Sequence, residues 1–258
     1  VAIGYHANSS ANGGAVQANH TTAVGERSRA SKNDATALGS NSNASGFSGT
    51  AVGAYTTAGG DNSIAVGRYS KAEALNAIAI GLNTNYDAAA GTTKTTGARS
   101  IAVGQAVQAG SNDTVAIGKE ATIDDKSLNT IVIGKEAKAV VATGVEKTDD
   151  SVVIGSKAQT NNMRNTVIGA EAVTTGKSQA TAVGYKTQAL GSKSTALGSN
   201  ASVAAGADVG VAIGGDASVT AVSGVAMGSN AKAAGENGIA IGKGAQANAK
   251  DTISIGTG

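Results

Sequence analysis

Apolar and polar positions follow one another in this chain in a unit that restarts about every fourteen residues. A β-branched residue, a small residue and an aliphatic residue precede a glycine, as at residues 22–25, 36–39, 50–53 and 64–67. Anchor glycines of this kind run from Gly4 to Gly256. Ten of the sixteen intervals between them are fourteen residues long, and the rest are longer, never shorter. A period that accepts additions and no deletions marks a stacked repeat in which each unit packs on its neighbours.

The triplet before each glycine predicts a short strand, and the glycine predicts a turn needing positive φ. Small residues recur three and five positions after the glycine, as at Ser28 and Ala30, Ser42 and Ala44, and Ser70 and Ala72. That alternation predicts a second strand with one face inward. No Asp, Glu, Lys or Arg occurs at any of these phases, although 15% of the chain is charged. Such segregation is a burial pattern.

Fourteen residues at about 3.3 Å each form a coil of roughly 46 Å perimeter, enough for two short strands and two turns. The fold class is therefore all-β: a flattened, parallel two-sided β-roll with about 14 residues per coil. In this reading the large residue before each glycine packs inward over the small residues of the opposite strand. Thr22, Thr36 and Thr50 belong to the core as β-branched residues. The alanine row two before each glycine is then left outside as an apolar stripe, the kind of surface that takes a partner. Ala37, Ala65, Ala116, Ala196 and Ala226 are the interface candidates in that row. Self-association follows from the residues, and its symmetry does not.

Composition narrows the chemistry. The chain has no Cys, five Tyr, one Phe and no Trp, so a thiolate metal site, a thiol nucleophile and a large aromatic core are excluded. An acyltransferase solenoid has a six-residue period and a cleft histidine. Here the period is fourteen, and His6 and His20 read as solvated. Glycine-rich strings lack a phosphate-loop lysine. Asp is scattered rather than held at one phase, which argues against a calcium solenoid. No catalytic residue, cofactor or metal is expected. The net charge of +2 comes with a basic bias in Arg27, Arg29, Arg68, Lys71, Lys135 and Lys138, read as a candidate basic turn surface. Solubilising charge and an extended docking surface are both open readings of it, whereas nucleic acid is not expected without stacking aromatics.

The strings SIAVG at residues 63–67 and 100–104, IAIG at 78–81, SVVIG at 151–155, GVAIG at 210–214 and GIAIG at 238–242 resemble the head repeats of YadA-like trimeric autotransporter adhesins. The resemblance spans the chain. It implies that the roll is left-handed and that three rolls associate side by side as a homotrimer. It further implies a head displayed at the cell surface of a Gram-negative bacterium, joined to the outer membrane by a stalk and anchor outside this sequence. Residues 1–250 are read as head repeats. Residues 251–258, where Ser254 replaces the usual Ala or Val, resemble the start of a neck. The implied function is adhesion to host extracellular matrix of the collagen, fibronectin or laminin class, or to host cells, with no direct membrane contact from this segment. The alternative is a structural spacer that mediates bacterial self-association or surface shielding without a specific receptor.

Three long insertions, at about residues 8–20, 86–98 and 141–150, are expected as surface loops at coil turns, where binding commonly resides. Asn12, His20, Tyr86, Lys94, Arg99, Glu146 and Lys147 are the candidate ligand contacts they supply. Neutral loop growth is the competing reading, since solenoids tolerate insertions at turns.

Overall fold

The computed structural model describes residues 1–9, 18–82, 94–141, 147–176 and 178–258. Every regular element among them is a β-strand, and the chain divides into two units, Val1–Asn129 and Thr130–Gly258. Each unit is a parallel β-solenoid in which strands of three residues stack as one sheet and strands of two residues stack as the other. In the first unit Thr22–Val24, Thr36–Leu38, Thr50–Val52 and Ile64–Val66 pair in parallel. Ala23 stands opposite Ala37, Ala37 opposite Ala51, and Ala51 opposite Ala65. Arg29–Ala30, Asn43–Ala44, Thr57–Ala58 and Lys71–Ala72 form the second ladder. The second unit repeats the scheme, with Thr195–Leu197, Val211–Ile213, Val225–Met227 and Ile239–Ile241 in one ladder. Ser202–Val203, Ser218–Val219 and Lys232–Ala233 lie in the other.

Insertions leave the register untouched. Ile78 pairs with Ile101 and Ile131 with Val152, so each coil resumes the alignment of the last whatever the chain does between. Local chemistry explains why. Gly25 has φ of +127°, and a Cβ there would lie 2.6 Å from the carbonyl carbon and oxygen of Gly39 on the next coil. No other residue type fits that turn without displacing backbone. Non-glycine residues with φ between 52° and 62° occupy both turns, which favours Asn and Asp, as at Asn41, Asn62, Asn76 and Asp113.

The core consists of four inward phases filled by small residues. In the coil that begins at Gly25 these are Ser28, Ala30, Ala35 and Ala37, all wholly buried. Several buried hydroxyls are satisfied by backbone, among them Ser28 Oγ, which donates to Gly25 O at 2.9 Å, and Thr56 Oγ1, which donates to Gly67 O at 2.6 Å, whereas Ser63 Oγ has no partner among the described residues.

This arrangement reverses one sequence expectation. Ala37, Ala65, Ala116, Ala196 and Ala226 have 0% accessible surface within a single chain, so the alanine row faces the opposite sheet and not a partner. The large residue before each glycine points outward, and so do Thr22, Thr36 and Thr50, which are half-buried rather than in the core. The cause is volume. A coil this short leaves a slot that Ala, Ser, Thr and occasional larger residues such as Val203 and Ile123 fill, so a row that is large in every coil, as at Leu38 and Ile80, stands on the other face.

Candidate interaction surface

Turning the alanines inward puts two rows of larger residues on the outer face of the three-residue strands. In the second unit these include Ile131, Ile168, Leu197, Met227 and Ile241, between 37% and 44% exposed. Their neighbours Val152, Val211 and Val225 add to the same face. In the first unit Ile64, Val66, Ile78 and Ile80 form a similar aliphatic strip. A continuous apolar face of this kind is uncommon on a protein that works alone. Polarity could not reveal these rows, because both sides of the triplet are apolar. Side-chain size could, because the middle residue is Ala in thirteen of the seventeen triplets and is never larger than the residue before the glycine.

The two-residue strands show a different outer face. In the first unit its row runs Arg29, Asn43, Thr57 and Lys71 in successive register, and Gln108 and Thr122 continue it past the strand Lys94–Thr95. In the second it begins at Lys138 and ends at Gln246, again with no Asp or Glu. Arg29, Lys71 and Lys138 are therefore strand residues rather than turn residues. Arg27, Arg68 and Lys135 do lie in turns. Arg27 pairs with Glu26 at 3.0 Å and Lys135 with Glu136 at 3.2 Å. Arg68 covers the Tyr69 ring at 4.8 Å, and that ring stacks on Tyr55 at 5.0 Å between centroids.

Of the residues proposed for the insertions, Asn12, Tyr86 and Glu146 lie outside the described residues. Lys94 is not in a loop: Lys94–Thr95 is a strand aligned with Lys71–Ala72 and Gln108–Ala109, because the repeat resumes there. His20 and Arg99 stand in regular turns, each reaching one coil onward. His20 Nδ1 lies 3.2 Å from Asp34 Oδ1. Arg99 grips both carboxylate oxygens of Asp113 at 2.6 and 2.7 Å. Those hydrogen bonds hold the Asp113 carboxyl below its ordinary range and the Arg99 guanidinium above its own. Lys147 is 3.7 Å from Asp149. His20, Arg99 and Lys147 thus each engage a different carboxylate.

The scattered Asp and Asn of the turns have a structural use. Asn33, Asp61 and Asn112 accept backbone N–H groups of Asn19, Phe47 and Ala98 from the preceding coil at 2.8–3.0 Å. They staple the edge of the first unit. Among the described residues no group of three His, Asp or Glu is arranged to hold a metal. A shallow cleft of about 330 Å³ lies beside Gln108, bounded by Thr96, Gly110, Ile123, Asp124 and Asp125. It offers carboxylates and backbone, and no nucleophile paired with a base.

The family described as YadA head domain repeat (2 copies) matches residues 17–42, 44–70, 58–84, 96–121, 176–201, 210–231 and 233–258. Among solved structures, the collagen-binding domain of the Yersinia adhesin YadA is similar over 64% of this chain and 69% of its own, at 21% identity and a TM-score of 0.36. No curated protein matches in sequence. With the repeat family matched along more than half of the chain, and its small-residue core and glycine turns in register, this protein belongs to the YadA head family.

Proposed function

We propose that the chain is the head of a homotrimeric adhesin on the surface of a Gram-negative bacterium. Three left-handed rolls join side by side through the outward rows of their three-residue strands. Turns, insertions and two-residue-strand faces remain open to host extracellular matrix, of the collagen, fibronectin or laminin class, or to host cells. The reading is non-catalytic. One observation carries it: a chain of YadA head repeats keeps an aliphatic face, including Ile64, Ile80, Leu197 and Met227, more than a third exposed. Burial of that face between identical copies is worth about 25 cal/mol per Å² of apolar surface. A parallel arrangement then aligns each row with itself along the assembly.

Solid-phase binding of the purified protein to collagens, fibronectin, laminin and epithelial cells tests the adhesive part. Saturable binding above that of a coiled-coil protein of similar length is expected. Binding no better than that control on any of these surfaces abandons the host-receptor claim and leaves the spacer reading.

A further inference from the structure

We propose that the outward row of the two-residue strands in the unit Val1–Asn129 is a binding track for an extended sulfated polysaccharide, a ligand class that rests on the adhesive reading above. The track is the single file Arg29, Asn43, Thr57 and Lys71, brought into register by consecutive parallel pairings. Every residue in that file carries a hydrogen-bond donor, two are cations and none is an acid. Stacked strands repeat at about 4.8 Å, so the donors recur at a constant step along a flat face.

Charge is distributed so that the row stays positive. Glu26 and Glu120, on the side of the turn that follows the glycine, are already paired with Arg27 at 3.0 Å and Lys119 at 3.4 Å. On the opposite edge stand Asp34, Asp61, Glu73, Asp113, Asp124 and Asp125, against Lys32, Arg99 and Lys126. Among the described residues the first edge carries a net charge of +1, with Arg68 the unmatched cation, and the opposite edge −3, so a polyanion is guided toward the first. Two atoms within the row lack partners in the chain: the buried Arg29 Nε donor and the buried Asn43 Oδ1 acceptor on the adjacent strand.

The form of the track selects the ligand. A folded protein partner would need a central apolar anchor, and the row has none. Single-stranded nucleic acid would need aromatic faces for its bases, yet Tyr55 and Tyr69 stack on one another, with Arg68 over Tyr69. Cations flanking an amide and a hydroxyl suit a polymer carrying both anionic groups and hydroxyls along its length. Each contact is weak and the file makes them additive.

The test compares retention of the whole protein on immobilised heparin, dextran sulfate and unsulfated dextran, with duplex DNA as competitor. Binding to both sulfated polymers, none to dextran, and steep loss with salt are expected. The double variant Arg29→Gln, Lys71→Gln is expected to weaken heparin binding at least tenfold, and Thr57→Glu, which removes no cation, to weaken it comparably. Lys32→Gln with Lys126→Gln, the same loss of charge on the opposite edge, should change it less than twofold, all with unchanged circular dichroism. Equal losses from the two double variants, or no retention of the parent protein, overturn the track. DNA that competes as well as heparin at equal charge overturns the polysaccharide assignment. A protein that fails on heparin and still binds matrix proteins or cells loses the track and keeps the adhesive reading.

Discussion

Gly224 is cut to fit Val219. A Cβ on Gly224 would lie 2.7 Å from Val219 Cγ1, and Gly210 stands in the same relation to Val203, at 2.9 Å. Where the inward position of the short strand carries Val instead of Ala, glycine at the facing inward position yields the space. Gly224→Ala is expected to destabilise the protein by about 1–3 kcal/mol through overpacking. Adding Val219→Ala should recover most of that loss, because the pair then matches Ala30 and Ala35, both wholly buried. Thermal or urea unfolding of the two singles and the double measures the coupling. Additive effects would mean that the two side chains do not share the slot.

Among the described residues of the second unit, Asn165 is the one buried amide side chain, and it ties two coils together. Its Nδ2 donates to Thr160 Oγ1 at 2.9 Å and to Asn162 O at 3.1 Å, while its Oδ1 accepts from Ala180 N at 2.8 Å. Asn165→Ala strips the partner from a buried backbone N–H and should cost about 1–3 kcal/mol. Chemical denaturation checks the loss, and amide exchange at Ala180 should quicken.

Val209 holds φ of +60°, a conformation disfavoured for a β-branched side chain, while that side chain is 53% exposed. The neighbouring coil has Ser223 at the same turn position. With half of its side chain in solvent, Val209 recovers little of the strain by burial, so Val209→Asn should stabilise by ~1 kcal/mol. A melting temperature that falls instead would show that the valine makes an apolar contact that its exposure hides.

Much of this architecture was legible from glycine spacing alone. Gly25 and Gly39 announce turns that only glycine accommodates, and their fourteen-residue interval is the coil. The side on which Ala37 lies was not legible from polarity, because Thr36, Ala37 and Leu38 offer apolar surface on both faces of the strand. Slot width decides it, and width is a property of the stacked coil, not of any one residue. The strand at Lys94–Thr95 was hidden for a related reason. Thr95 matches Ala72 and Ala109 only once the ladder has fixed the register across the insertion. The candidate contacts in the insertions were the least legible, since the polar side chains of His20, Arg99 and Lys147 serve turn-to-turn or local contacts with carboxylates.

The central claim is that the outward aliphatic rows are covered by identical copies. Leu197 is 44% exposed in the single chain and its neighbour Ala196 is 0% exposed, so one substitution at each separates assembly from folding. Leu197→Asp with Ile213→Asp should leave a folded chain that no longer associates, whereas Ala196→Asp buries an unpaired charge and should unfold the coil. Sedimentation equilibrium of the parent protein is the direct measurement. A species of three times the 24.8 kDa chain mass, reduced to one chain by the Leu197 and Ile213 pair with β-structure retained, is the predicted result. A parent protein that sediments as a stable single chain at every concentration would contradict it.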